Sequence, residues 1–393
     1  MQEVVILAAK RTAIGSFLGS LSHFSPADLG EKTSLAAIEQ ANVPAEQIEH
    51  AVFGHIITTS PQDVYLARDI ALRVGLSQTS SAFNVNRLCG SGLQAIISAT
   101  QMLQLGHGQT ALCGGAEIMS QGAFLLPNMR KGLRMGHKHI IDLTIGILTD
   151  PFGSGPMGCT AELIAKKYKF TRQELDEFAL FSQQKALHAQ QQGFFTEQIV
   201  PIGLTSASEQ DLFLHDEHIK PALTLADLSR LKPAFQTDGI VTAGNSSGLN
   251  DGAASVVLST SSFAKYHGLK ALARIVDYSF AGVAPELMGL GPIPAVQKLL
   301  FKHGLDIEDI AIIESNEAFA AQALAVAKDL NLPLEKTNPQ GGAIAMGHPV
   351  GATGAILVTK ALYELIRTEQ RFAIITMCIG GGQGIALLIE LFK

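Results

Sequence analysis

The sequence predicts an α/β fold assembled from two similar halves, and three features predict it. Strand-like apolar runs alternate with helical patterns over residues 1–117, and the same order of elements returns over 271–393. Hydrophobic residues make up 47% of the 393-residue chain and charged residues 16%, the balance of a protein with a large core. The 38 glycines fall in short clusters, which mark tight turns and close backbone approaches rather than a low-complexity tract.

In chain order, "VVILAAK" is strand-like. "SPADLGEKTSLAAIEQA" reads as a helix capped by Ser25, with Pro26 in its first turn and Leu29, Leu35 and Ile38 as its apolar positions. The strand "IEHAVFGHI", a polar-to-helical stretch over 62–75, the strand "SAFNVN", a helix from Gly90 and the strand "QTALCGG" complete the first set. The second set opens with the strand "LARIVDYSFAGV", the helix "IPAVQKLLFKHG", the strand "DIAIIESNEA" and the helix "AFAAQALAVAKDL". The segment "KTNPQGG", a helix opening at "HPVGATGA" and the strands "FAIITMC" and "GIALLIEL" end the chain. This alternation predicts mostly parallel sheets covered on both faces, and the repeated order predicts a gene duplication.

The pattern changes between the halves. One long helix, "RQELDEFALFSQQKALHAQQQ", starts from a capping box of Thr171 and Glu174. Around it, "TDPFGSGPMGCTAE" and "GLTSASEQDLFLHDEHIKPALT" read as loops, a usual place for ligand and subunit contacts. The expected organisation is 1–117 plus 251–270 as an N-terminal half, 118–250 as a loop-rich insertion, and 271–393 as a C-terminal half.

A formal charge of −6 gives no reason to expect nucleic acid as a partner. Locally, "NMRKGLRMGHKH" gathers Arg130, Lys131, Arg134 and Lys138 without an acid, which suits a solvated loop, a subunit contact or a landing site for a phosphorylated substrate. Cys89, Cys113, Cys159 and Cys378 show neither a CxxC pair nor metal-ligand spacing, so no metal is expected. The early run "VVILAA" lacks a basic stretch before it and is too short for a signal segment or a membrane span. A cytoplasmic protein with reduced thiols is the expectation.

Four positions carry candidate chemistry. Cys89, in "NVNRLCGSGL", stands where a helix begins; the helix dipole and free N–H groups there lower a thiol pKa, and Gly90 and Gly92 clear space for a carbonyl. A small buried hydrophobe fits Cys89 equally well on that evidence. His348 lies between Gly347 and Pro349 at a second strand-to-helix junction, the place matching Cys89 in the other half, which suits a general base. Cys378 precedes Gly380, Gly381 and Gly382, whose N–H groups are free to converge on an oxyanion; a packed strand-end thiol is the plainer reading. Cys113, at the end of the corresponding strand, reads as core. Asn316, in "ESNEAFA", suits either a helix N-cap or a group orienting a water or a histidine at a strand's carboxyl end.

"NRLCGSGLQA", "TAGNSSGLNDGAA", "NEAFA", "GGAIAMGHPVGATG" and "CIGGGQG" occur in the order seen in thiolases, and "ILAAKRTAIG", "CGGAEIMS" and "LMGLGPIPA" also resemble that family. The resemblance spans the whole chain. It implies duplicated α/β domains in a five-layer αβαβα core. It implies Cys89 as the acyl-carrying nucleophile, His348 as its activator and, with a water on Asn316, as the enolate-oxygen site. Cys378 is then the acid/base at the α-carbon, and the N–H groups of Cys89 and Gly380 form the second oxyanion hole. Ser247 and Gly248 are expected near the pantetheine, and Met157, Phe235, Met288 and Phe319 along the CoA and substrate path. No tightly bound cofactor is implied; coenzyme A is the co-substrate, acyl-CoA the partner and a homotetramer the assembly.

Two positions depart from common family patterns. Pro156 stands in Pro156-Met157-Gly158 where many acetoacetyl-CoA thiolases carry histidine, and Ile356 stands where an arginine is common. Met157, Met288 and the basic loop lean towards short acyl chains, with a medium- or long-chain 3-ketoacyl-CoA thiolase as the alternative. A β-ketoacyl synthase, which shares the fold, pairs its cysteine with two histidines, so Cys378 argues against it. A non-catalytic CoA- or lipid-binding relative is disfavoured because Cys89, His348 and Cys378 are all present. No G-x-G-x-x-G follows the first strand, which removes a dinucleotide-binding reading.

Overall fold

The computed structural model describes residues 2–204 and 211–392. The segment 203–224 read above as loop therefore falls partly outside the described residues. The main elements of the first half are β1 (Val4–Thr12), α1 (Pro26–Ala41), β2 (His50–Gly54), α2 (Leu66–Arg73), β3 (Ser81–Val85), α3 (Ser91–Gln104) and β4 (Thr110–Ile118). The middle contributes α4 (Met157–Tyr168), α5 (Arg172–Gln191) and β5 (Asn250–Thr260). The second half contains β6 (Ala273–Gly282), α6 (Pro292–His303), β7 (Ile312–Ser315), α7 (Ala320–Asp329), α8 (Ala343–Met346), α9 (Thr353–Thr368), β8 (Phe372–Ile379) and β9 (Gln383–Leu391).

The strands run in the order β7-β8-β9-β6-β1-β5-β4-β2-β3. Out from the centre, β1-β5-β4-β2-β3 and β6-β9-β8-β7 repeat one topology, and a bridge from Ile313 to Thr337 stands where the second half's fifth strand would be. The halves are joined at β1 and β6 by only two residue pairs, Val5 with Arg274 and Ile6 with Ala273. The sheets are mixed rather than mostly parallel: β2, β3 and β4 pair parallel, as do β7 and β8, whereas β5 and β9 run antiparallel to both neighbours. The sequence reading missed β5, because "NDGAASVVLST" is buried along its whole length and shows no period-two alternation.

Three apolar clusters define the layers. Leu29, Ile38, Ile70 and Phe53 join α1 and α2 to the outer face of the first sheet. Ile96, Leu103, Leu357, Val358 and Leu362 place α3 and α9 between the two sheets. Val296, Leu299 and Val326 pack α6 and α7 on the outer face of the second sheet. The result is the five-layer αβαβα arrangement. Ile356 belongs to the middle layer at 2% exposure, so its side chain is core filling and makes no surface contact. Leu35 departs from the expected buried face of α1 and is exposed.

Glycine sets the spacing of the middle layer. A Cβ at Gly115 would meet the Gly351 carbonyl oxygen, and one at Gly354 would meet the Leu93 backbone nitrogen. A Cβ at Gly54 would stand 2.6 Å from Gly92 N, and one at Gly92 would stand 2.9 Å from Gly351 O. Gly92 thus serves helix packing, and Gly90, whose Cβ would meet Ile379, does likewise; neither clears room for substrate as the sequence reading supposed. The insertion is anchored by Arg11, whose buried guanidinium donates to both carboxylate oxygens of Asp216 at 2.7 and 3.0 Å. It also holds α4, which the Gly/Pro-rich run had disguised as loop. Gly115→Ala is expected to lower stability by about 1–3 kcal/mol through overpacking, read as a fall in thermal unfolding temperature; an unchanged transition would show that the layer can yield.

Candidate active site

Cys89 stands one residue ahead of Gly90, the N-cap of α3. The preceding residue, Leu88, is held at φ 48°, a left-handed conformation that costs a non-glycine residue of order 1–3 kcal/mol. The turn is pinned by Ser91, whose Oγ donates to Leu88 O at 2.7 Å and accepts from Arg87 N at 2.8 Å. Cys89 packs against the small cluster of Ile56, Ile57, Met119 and Val350. Burial pushes its thiol up to about 11, against hydrogen bonds from the backbone N–H groups of Gly380 and Cys89 that favour thiolate. The expected depression at a helix start is therefore outweighed by the apolar surroundings.

His348 lies between the short helix α8 and α9, not at a strand-to-helix junction. Gly347 reaches it at φ 113°, and the Asn250 carboxamide fills the space a Cβ there would need. Asn250 Oδ1 accepts from His348 N at 2.9 Å. Thr353 Oγ1 donates to Pro349 O at 2.9 Å and lies 2.6 Å from His348 Nδ1, which assigns the ring proton to Nδ1. Nε2 is then the acceptor nitrogen. Burial lowers the imidazole to about 4, so it is neutral at physiological pH.

Cys378 ends the inner part of β8, buried among Met288, Ala318, Met157 and Phe319. Burial raises its thiol far above the ordinary range, and the nearby Cys89 acts in the same direction. After it, Gly381 and Gly382 take φ of 79° and 85°, a turn that glycine makes without strain. Asn316 is fully buried and lies outside α7, whose N-cap is Phe319, so it is not a helix cap. Its Nδ2 is 3.5 Å from His348 Nε2, and its Oδ1 has no partner among the described residues.

One narrow cavity of about 60 Å³ collects these groups except Asn316, which lies behind His348 and is not part of its lining. Cys89, His348, Cys378, Gly380, Ser247, Met157, Met288 and Phe319 all line it. Phe235 stands behind the wall, against Gly158 and edge-on to Phe319 at 6.0 Å. Gly248 packs beside His218 and Asn250 and is not part of the lining. The sequence reading missed the apolar wall made by Ile56, Ile147, Leu148 and Val350, since scattered aliphatic residues carry no local signal. Asn250 and Thr353 were also missed, although both fall in the quoted glycine-rich motifs. Among the described residues no cluster of three His, Cys, Asp or Glu side chains suits a metal ion.

A neutral imidazole beside a thiol, two backbone donors on that thiol and a second buried thiol form a site for acyl transfer through sulfur. A model of the thiolase N-terminal domain matches residues 4–262, and one of the thiolase C-terminal domain matches 269–391. The chain belongs to the thiolase family. The thiolase is 48% identical to the beta-ketothiolase BktB of Cupriavidus necator over 99% of both chains. It superimposes on the Bacillus anthracis acetyl-CoA acetyltransferase with TM-score 0.97, at 43% identity over 100% of this chain and 99% of that one. It superimposes on the human mitochondrial 3-ketoacyl-CoA thiolase in complex with CoA with TM-score 0.96, at 40% identity over 100% and 98%. The neutral thiol–imidazole pair predicts that alkylation of Cys89 by iodoacetamide, located by mass spectrometry, accelerates steadily from pH 7 to 10. A rate already at plateau near pH 6 would instead indicate a preformed thiolate–imidazolium pair.

Proposed function

We propose that this thiolase interconverts two acetyl-CoA with acetoacetyl-CoA and CoA, and cleaves 3-ketoacyl-CoA with free CoA, through an acyl group on Cys89. The observation that carries the proposal is the meeting of Cys89, His348, Cys378 and Gly380 in one cavity. His348 Nε2 takes the Cys89 proton as Sγ adds to the thioester carbonyl. The oxyanion faces the N–H groups of Cys89 and Gly380, the donors already aimed at Sγ. Collapse breaks the C–S bond to CoA, whose sulfur takes the Cys378 proton, so CoA leaves as its thiol and Cys378 is left as thiolate.

The second step needs a carbanion. Cys378, the thiolate left by that proton transfer, removes the α-proton of the next acetyl-CoA, and the enolate oxygen is held by His348 and by a water on Asn316. The imidazole still carries the Cys89 proton at Nε2 and is a donor at that atom, as an enolate oxygen requires. The enolate carbon attacks the acyl-Cys89 carbonyl, and the Cys89 sulfur leaves and recovers its proton from His348 Nε2. Two thiols of different burial are suited to these two tasks, whereas a hydrolase needs one nucleophile.

The narrow cavity bounded by Met157, Met288 and Phe319 favours a short acyl group. One observation favours the longer-chain reading: a second groove of about 350 Å³ shares Leu88, Ile147, Met157 and Gly380 as walls and continues past Phe152. The insertion supplies CoA and subunit contacts in this reading. Its exposed Met129, Leu133 and Met135 stand among exposed Arg130, Lys131, Arg134 and Lys138, a mixture that supports a homotetramer and a CoA-phosphate contact. Four unpaired cysteines support a reducing compartment, the cytoplasm. No described helix is long and apolar enough to cross a membrane.

Cys89→Ser is expected to lose nearly all acyl transfer and to take no label from radioactive acetyl-CoA; full labelling would remove its role. Cys378→Ala is expected to acylate at Cys89 but neither to condense nor to exchange α-protons, with normal turnover the refuting result. In steady-state assays kcat/KM is expected to be higher for acetoacetyl-CoA than for longer 3-ketoacyl-CoAs, and the opposite order would favour the second groove.

A further inference from the structure

Glu117, the last but one residue of β4, is fully buried and has no part in the chemistry above. Its carboxylate is nevertheless the meeting point of two loops. Oε2 accepts from Ile56 N at 3.1 Å and from Gly351 N at 2.9 Å, while Oε1 accepts from Ile57 N at 3.0 Å. Ile56 and Val350, on either side of this clasp, both line the catalytic cavity. Gly351 is three residues from His348, and a Cβ there would strike Glu117 Oε2, so the glycine is what admits the carboxylate.

The charge is supported from behind. His55 Nδ1 lies 3.2 Å from Glu117 Oε1 and 3.0 Å from Ala116 O, and its Nε2 lies 3.4 Å from Asp63 Oδ2. Burial alone would lower the basicity of His55, but Glu117 and Asp63 reverse this and raise it to about 10. The imidazolium therefore sits between two carboxylates, and Asp63 is further held by Thr59 N at 2.5 Å and Ser60 N at 3.0 Å.

We propose that Glu117 is a positioning residue for His348: its carboxylate locks the 348–351 turn onto the 54–57 loop and so sets where Nε2 stands over Cys89 and Asn316. The inference rests on the thiolase chemistry proposed above. Glutamine at 117 keeps the length but offers one acceptor oxygen where three N–H groups converge, and the turn loosens by a fraction of an ångström to about 1 Å. A displacement of that size costs about 10²-fold in rate when it falls on a catalytic group.

The test compares E117Q with D63N, both as full-length enzyme. Asp63 touches His55 but not the His348 turn, so D63N is expected to lose thermal stability and to keep kcat within about twofold per folded molecule. E117Q is expected to lose about 10²-fold in kcat and in α-proton exchange, with KM for acetyl-CoA within about threefold, the split expected when binding is intact but the transition state is not. If E117Q does not accumulate folded, E117D carries the same test, since it keeps the charge against His55 but is one methylene too short to span Ile56 and Gly351. A folded E117Q or E117D with wild-type kcat overturns the positioning role while leaving the thiolase reading intact. Parallel losses of kcat in D63N and E117Q, each in proportion to lost stability, overturn it as well. A wild-type enzyme that forms no acetoacetyl-CoA removes the thiolase chemistry, and the inference with it.

Discussion

The backbone of one half lies directly on the backbone of the other, and the rest of the structure depends on that contact. Gly54, Gly92 and Gly115 from the first half meet the Gly351 carbonyl oxygen of the second, and Gly354 meets the backbone of Leu93. A Cβ at any of these points would overlap backbone atoms of the facing segment, so the layers would have to move apart. Because Cys89 comes from one half and His348 from the other, the same close approach that packs the middle layer also brings the two side chains into one cavity. Packing and chemistry are one constraint here, since interiors at crystal-like density do not absorb small displacements.

The chemical pair is kept neutral by the same burial. A thiol at about 11 and an imidazole at about 4 store no ion pair in the free enzyme. The donors that stabilise negative charge on sulfur are already in place, and in the proposed reaction charge arises only as the proton moves. An exposed thiolate would be the easier nucleophile but also the easier target for oxidation. The arrangement gives up ground-state reactivity and keeps its electrostatic support for the charged intermediates.

Much of this was legible in the sequence, because its signals are local. Periodicity marked nearly every element of both halves, and Ser25 and Thr171 cap helices where their side chains predict. Cysteine beside glycine, and histidine between glycine and proline, stood out as chemistry. What stayed hidden is what depends on distant neighbours. The strand 250–260 pairs on both sides and is buried throughout, so it lacks alternation. The helix 157–168 begins in a run of glycine and proline, where local propensity argues for loop but packing against Phe235 decides otherwise. The depressed thiol pKa expected from the helix start failed because apolar walls, contributed from far along the chain, outweigh a local dipole. Glu117 looked like any acid in a strand until the Gly351 turn was placed against it.

Cys113 and Cys378 occupy the strands that match one another in the repeated topology, β4 and β8, yet they have opposite fates. Beyond Cys113, the end of β4 is filled by the Gly351 carbonyl arriving from the other half, and the thiol lies sealed against Val256 O. Beyond Cys378, the glycine turn leaves the strand end open to the cavity. A duplication would by itself make a protein with twofold chemistry, one centre at each strand end. This chain is lopsided instead: the turn that carries His348 also packs its Gly351 carbonyl onto Gly115, two residues past Cys113. Symmetry was broken by occupancy, and a single centre drawing residues from both copies is what remains.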